Sequence, residues 1–211
     1  MISESEFAKI LQKCKELPAS ESTYLEEDFI CNLLLTVLDF QMQTKAVVNA
    51  MNFYRKNRWN AIRNLKELKA LFDKYADDKE GNTKIAQFLW GYKLWTRVAF
   101  LRKLVIFFES IEVTTQENVK LWAQNSDYEK DFEGKIKGLG YAVYQWIVMR
   151  QGIETVKPDV HLRRFVESVV TQSFTDKELV DVLEKAACQL GIKAYELDWK
   201  IWEHQRNKQN L

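Results

Sequence analysis

Two prolines in 211 residues, Pro18 and Pro158, leave nearly every position able to donate a backbone N–H inside a helix. Between the turn signals the apolar residues keep helical spacing. Leu33, Leu34, Val37 and Leu38 share one period that runs on to Gln41, and Leu179, Val182, Leu183, Ala186 and Leu190 share another. An all-α fold is expected, with helices near 3–16, 26–40, 44–57, 60–75, 82–94, 96–110, 115–125, 127–136, 141–151, 160–172, 176–190 and 194–208. The stretches "LPASEST" and "GNT" read as the clearest breaks between them.

A hydrophobic content of 46% supports a substantial buried core. The sequence contains no apolar run of roughly 18 residues, the length that would argue for a membrane span. The start, "MISESEFAKILQK", lacks the apolar stretch of a secretion signal, so a cytoplasmic protein is expected. Cys14, Cys31 and Cys188 lie far apart within apolar-periodic segments and read as isolated thiols. His161 and His204 are the only histidines, too few to suggest zinc. "DKYADDKEGNTK" fails as a calcium loop, because Gly81 at the turn puts Ala76 first and Gln87 last; it reads as a solvated acidic loop.

The net charge is only +1, yet its distribution is uneven. Gln41 to Lys66 carries Lys45, Arg55, Lys56, Arg58, Arg63 and Lys66 with no acid, and Lys84 to Phe108 is likewise acid-free. Acids gather at Glu21–Asp28 and Asp73–Glu80. Such segregation fits a basic face that neutralises phosphates, and fits ordinary solvated helix faces equally well.

The helical pattern breaks hardest across "KIKGLGYAVYQWIVMRQGIETVKPDVHLRRF", Lys135 to Phe165. Gly138-Leu139-Gly140 lies between two helical segments, where the missing Cβ atoms let backbone N–H groups approach a ligand. The helix beginning at Tyr141 presents its positive end there, a geometry suited to phosphate and also to a plain tight connection. Pro158-Asp159 opens the next helix with Asp159 at the N-cap, a favoured structural cap and equally a carboxylate fixed for chemistry.

This order of hairpin, amphipathic helix, Gly152–Pro158 loop and Asp159-x-His161-Leu162-x-Arg164 resembles the helix-hairpin-helix (HhH-GPD) DNA glycosylases of the endonuclease III superfamily. Upstream, "FICNLLLTVLDFQMQTKAVV" is similar to the family's second core helix and the turn after it, with Gln41 at the DNA-probing position. "GYKLWTRVAFLRKL" loosely resembles a further family segment, with Arg97 one residue late. The resemblance spans about Phe29 to Val170. It implies double-stranded DNA as partner, contacted by Gln41, Lys135, Lys137, Gly138, Leu139 and Gly140, with Asp159 as the catalytic carboxylate. It also implies a monomer with no membrane partner, and leaves room for a monovalent cation at the hairpin carbonyls and for no other cofactor.

Departures from the family pattern select the mechanism. Lys137 replaces the usual proline before the first hairpin glycine, and Val143-Tyr144 replaces Thr/Ser-Ala. Ala142 stands where members with lyase activity carry a nucleophilic Lys, and Cys188 is the only cysteine after Cys31, so the iron–sulfur signature is missing. The resemblance thus implies a monofunctional glycosylase of base excision repair, which hydrolyses a glycosidic bond without forming a Schiff base. Phe40, Trp95, Tyr141 and Tyr144, with Trp90 and Trp146 nearby, are the aromatic candidates for a pocket taking an alkylated purine, with adenine in a mispair or a deaminated base as alternatives; aromatics at this spacing also serve as core.

Two helical lobes are expected, residues 27–153 and residues 1–26 plus 154–211, with the active-site cleft between them. A catalytically silent relative that binds DNA through the hairpin, and a helical interaction protein with a coincidental G-x-G, remain the alternatives.

Overall fold

The computed structural model describes residues 2–20, 25, 26, 28–39 and 42–209, and among these the chain is all-helical with no strand. It divides into two compact units, Glu26–Gly138 and Met1–Leu25 with Leu139–Leu211. The division falls after Gly138, whereas the sequence reading carried the first region on to residue 153. The helix from Tyr141 is tied instead to the C-terminal part of the chain. Tyr141 packs against the core of the second unit, and Gln145 accepts a hydrogen bond from the Thr155 hydroxyl at 3.1 Å.

The Glu26–Gly138 unit contains α2 (Phe29–Leu38), α3 (Thr44–Asn57), α4 (Leu65–Phe72), α5 (Lys79–Trp90), α6 (Trp95–Ser110), α7 (Gln116–Asn125) and α8 (Tyr128–Asp131). α6 packs against α2, α4 and α5, and α3 against α2 and α5. All but one of the ten α2 residues are buried, as expected of a helix apolar almost all round. Phe108 meets Phe29 and Trp122 edge-on at centroid distances of 5.3 and 5.1 Å, pairs that contribute about 0.5–1.5 kcal/mol each beyond area burial.

The other unit contains α1 (Glu4–Lys15), α9 (Tyr141–Arg150), α10 (Val160–Glu167), α11 (Asp176–Leu190) and α12 (Ala194–Gln209). α12 packs on α10 and α11, and α1 on α11, around Ile10, Leu162, Phe165, Leu183 and Ile201. Capping boxes open α1 at Ser3 with Glu6 and α11 at Thr175 with Glu178.

Two sequence expectations are corrected here. "GNT" is no break: Gly81, Asn82 and Thr83 lie inside α5, because Asp78 caps that helix by accepting the Gly81 N–H at 2.7 Å. The glycine is there for space, since a Cβ at position 81 would sit 2.1 Å from the Ala76 carbonyl oxygen. The expected 127–136 helix is cut to the four residues of α8. Beyond it Phe132 turns into the core, fully buried, and Gly134 takes a left-handed conformation.

Candidate functional site

How each helix begins separates the candidate site from the rest of the chain. Ser3, Asp28, Asn64, Asp78, Thr115, Asp127, Asp159 and Thr175 each accept a backbone N–H from their own helix. Among the described helix starts, α3 at Gln43, α6 at Leu94 and α9 at Gly140 have no such side-chain acceptor and no acid in the first turn. These starts follow Gln41, open at Trp95 and follow the G-x-G turn, three of the places the sequence singled out; the start at Asp159, also singled out, is capped. Each therefore presents its positive end without an anion of its own.

In the hairpin, Gly138 has φ +93°, a conformation that glycine adopts without penalty, and a Cβ there would lie 3.2 Å from the Phe100 ring. Lys135 and Lys137 are exposed and Ile136 is buried, so the two ammonium groups stay in solvent while the chain is anchored between them. Leu139 is buried. Gly140 is extended, at φ −113° and ψ −161°, with nothing within 4 Å of a would-be Cβ. Val143 and Tyr144 both donate to the Gly140 carbonyl, at 3.0 and 3.2 Å, and the N–H groups of Gly140 and Ala142 have no acceptor among the described residues.

Asp159 is held from several directions. Its N–H donates to the Lys157 carbonyl at 2.8 Å across Pro158, a tight turn that proline favours. The Lys157 N–H donates in turn to the buried Asp198 carboxylate at 2.7 Å, which ties the turn to α12. Asp159 Oδ1 accepts the N–H groups of His161 at 2.7 Å and Leu162 at 3.1 Å. Its Oδ2 takes no hydrogen bond among the described residues. One oxygen thus caps α10 and the other is engaged by none of the described residues. His161 also has a buried Nδ1 with no hydrogen-bond partner among the described residues.

Of the aromatic candidates, Tyr141 is half-buried, and its hydroxyl accepts from Gln145 Nε2 at 2.6 Å. Burial pushes the Tyr141 phenol up, with the carboxylates of Glu184 and Asp181 adding to the shift and Gln145 opposing it. Tyr144 is buried in α9. Trp95 is 38% exposed in the other unit, at the uncapped start of α6. Trp90 is fully buried and offers no ring face, and Trp146 has its faces taken by Arg150 at 3.9 Å and Lys157 at 4.3 Å. Phe40 and Gln41 lie outside the described residues.

Sequence reasoning missed the polar line Tyr141–Gln145–Thr155–Glu184, which reaches from the start of α9 to α11. Burial pushes the Glu184 carboxyl up, and the Thr155 hydroxyl opposes that shift. It missed Asp198 as well, a carboxylate that carries no local pattern. It also overcounted the basic face. Arg58 donates to the Phe88 carbonyl and lies over that ring at 4.5 Å, Arg102 donates to the carbonyls of Phe72 and Tyr75, and Arg55 pairs with Glu26.

Burial pushes the Cys14 thiol up to about 12 and raises that of Cys31 further, whereas Cys188 is exposed. Among the described residues, no group of three or more His, Cys, Asp or Glu side chains converges to hold a metal ion, and no helix is long and apolar enough to cross a membrane.

No curated protein and no solved structure matches the chain. A family model described as a domain of unknown function, DUF8548, matches residues 8–206, so it takes in nearly all of both units. The chain belongs to the DUF8548 family.

Proposed function

We propose that this protein is a monofunctional DNA glycosylase of the helix-hairpin-helix kind, which binds duplex DNA and hydrolyses the glycosidic bond of a flipped damaged or mispaired base, an alkylated purine before others. The observation that carries the reading is Asp159: a carboxylate with one oxygen locked by two backbone N–H groups and the other unengaged, at the end of a hairpin–helix–loop order. As the bond to the base lengthens, positive charge grows on the deoxyribose. A fixed carboxylate stabilises that charge without having to reorganise. The same group orients a water whose oxygen bonds to C1′ as the C1′–N bond breaks; the base departs with the bonding electron pair and is protonated by solvent, and the carboxylate accepts the water's proton.

The uncapped starts of α3 and α9 support DNA as the partner, because they follow Gln41 and the hairpin, which the resemblance assigns to DNA contact, and each lacks an anion of its own. Backbone N–H groups at Gly140 and Ala142 would take a phosphate, with Lys135 and Lys137 adding charge. Tyr141 would face the extruded base, its hydroxyl held by Gln145. Ala142 supplies no amine, so the abasic strand should stay intact until alkali is added.

A panel of duplexes, each with a single damaged or mispaired base, tests this reading. The expected result is base release from at least one duplex, revealed as a nick only after alkali, with no covalent complex trapped by borohydride. Duplex binding without release from any member would favour the silent DNA-binding alternative, and absence of both would remove DNA from the account.

A further inference from the structure

The Glu26–Gly138 unit holds a cavity of about 650 Å³, between α6, α7 and the segment that runs from α8 into the hairpin. Its size falls within the range that seats a small ligand or a few side chains of a peptide. The floor is apolar. Ile106 on α6 is 63% exposed, the most exposed large hydrophobic side chain among the described residues, and Ile111 beyond the end of α6 is 39% exposed. Behind them Phe107 lies edge-on to Trp122 at 6.2 Å and to Phe132 at 5.3 Å, so the floor is backed by packed rings and does not have to form on binding.

The rim is cationic. Lys103, Lys130, Lys135 and Lys137 line the cavity, and none of them makes an ion pair among the described residues. Elsewhere in the same unit Lys69 pairs with Glu109 at 3.2 Å and Lys84 with Glu80 at 2.7 Å, so the rim lysines differ in forming no ion pair among the described residues. The one acid lining the cavity, Asp131, accepts the Asp127 N–H at 2.7 Å, and its single charge leaves the four lysines in excess.

We infer that this cavity is a docking site for an acidic peptide segment of a partner protein, one that carries aliphatic or aromatic anchor side chains. Charge complementarity selects the acid: four ammonium groups without an ion pair in one rim, that of Lys103 lying 5.3 Å from the Phe100 ring centroid, favour a ligand with several carboxylates. The floor selects the anchors. A sugar–phosphate backbone would meet the lysines but leave Ile106 and Ile111 against polar groups, whereas a neutral apolar peptide would cover the floor and leave the lysines unpaired. Anchors in the floor with carboxylates at the rim satisfy both, in the manner of an amphipathic segment laid into a groove. Docking here does not depend on base excision and shares only Lys135 and Lys137 with that reading.

The test uses the full chain and three fluorescent probes: an acidic peptide with Leu and Phe at i, i+3, i+4 and i+7, the same peptide with Ser at those positions, and an undamaged DNA duplex. The anchored peptide is expected to bind at least about tenfold more tightly than its Ser counterpart. Ile106→Ser should lower its affinity by about tenfold, the equivalent of one lost apolar anchor, and leave duplex affinity unchanged. Lys103→Glu combined with Lys130→Glu should weaken the peptide more steeply. Ile106 is mostly exposed, so an unchanged Tm is expected and separates lost docking from lost folding. No binding of the anchored peptide, or equal binding of both peptides, would overturn the inference. So would an Ile106→Ser variant that loses duplex and peptide alike, which would make the cavity part of a nucleic-acid surface.

Discussion

Two helices of the discontinuous unit begin only nineteen residues apart and in opposite ways. α10 starts at Asp159, whose carboxylate takes two of the orphan N–H groups and brings a negative charge to the positive end of the helix. α9 starts at Gly140, which brings neither an acceptor nor a charge. Stability alone would favour the first arrangement at both places, since a cap of this type contributes about 1 kcal/mol. The chain uses the capped form in most of its described helices and omits it at α3, α6 and α9. Under the proposed function the two starts have different uses: the α9 start would receive an anion from outside, and the α10 start would hold an anion for chemistry.

Making the two starts alike should break this contrast, and the largest effect is expected at α9. Gly140→Asp would place a carboxylate at that N-cap, where the backbone is extended and no atom crowds a Cβ. Duplex affinity should fall by roughly tenfold or more through like-charge repulsion with the phosphate, while Tm stays level or rises slightly. Titrating the variant with labelled duplex beside a thermal melt gives both readouts. A fall in both together would mean that the glycine serves the fold.

At α10 the stability effect should be moderate. Asp159→Ala should cost about 1 kcal/mol in a denaturant melt, and Asp159→Asn only a few tenths, because Asn caps about as well as Asp. An Asn variant as unstable as the Ala variant would show that the charge, rather than the cap, holds α10.

A smaller effect sharpens how the α9 start is held. The raised carboxyl of Glu184, at the far end of the line to Tyr141, makes a stabilising contribution that is complete below its unfolded-state pKa and is lost as pH rises through the folded-state value. Removing the charge with Glu184→Gln should therefore raise Tm more at pH 8 than at pH 4. The opposite ordering would mean that the ionised form is the one the fold prefers.

Local chemistry was legible in the sequence where neighbours along the chain decide the outcome. Pro158-Asp159 announced an N-cap, and the apolar periods of α2 and α11 placed both helices close to their observed limits. Tertiary demands overrode the local signal elsewhere. Gly81 looked like a breaker, yet it lies inside α5 because the Ala76 carbonyl leaves no room for a Cβ. The helix expected over 127–136 ends early, at Asp131, as Phe132 turns inward. Charge counts along the chain could not show that Arg58 and Arg102 are turned to backbone carbonyls. Glu184 is linked to Tyr141 by way of Gln145 and Thr155, a route with no sequence period to reveal it.

The central claim is that Asp159 acts on the sugar as well as on its helix. Single-turnover excision from a duplex bearing an alkylated purine, with wild type and Asp159→Asn compared on samples whose duplex affinity and Tm are measured alongside, tests it most directly. The account predicts equal affinity, nearly equal Tm and a rate about 10²–10³-fold lower in the variant, the loss expected when a charge-stabilising group is removed. Excision by Asp159→Asn at the wild-type rate, with fold and affinity intact, would contradict the account and leave Asp159 as a helix cap alone.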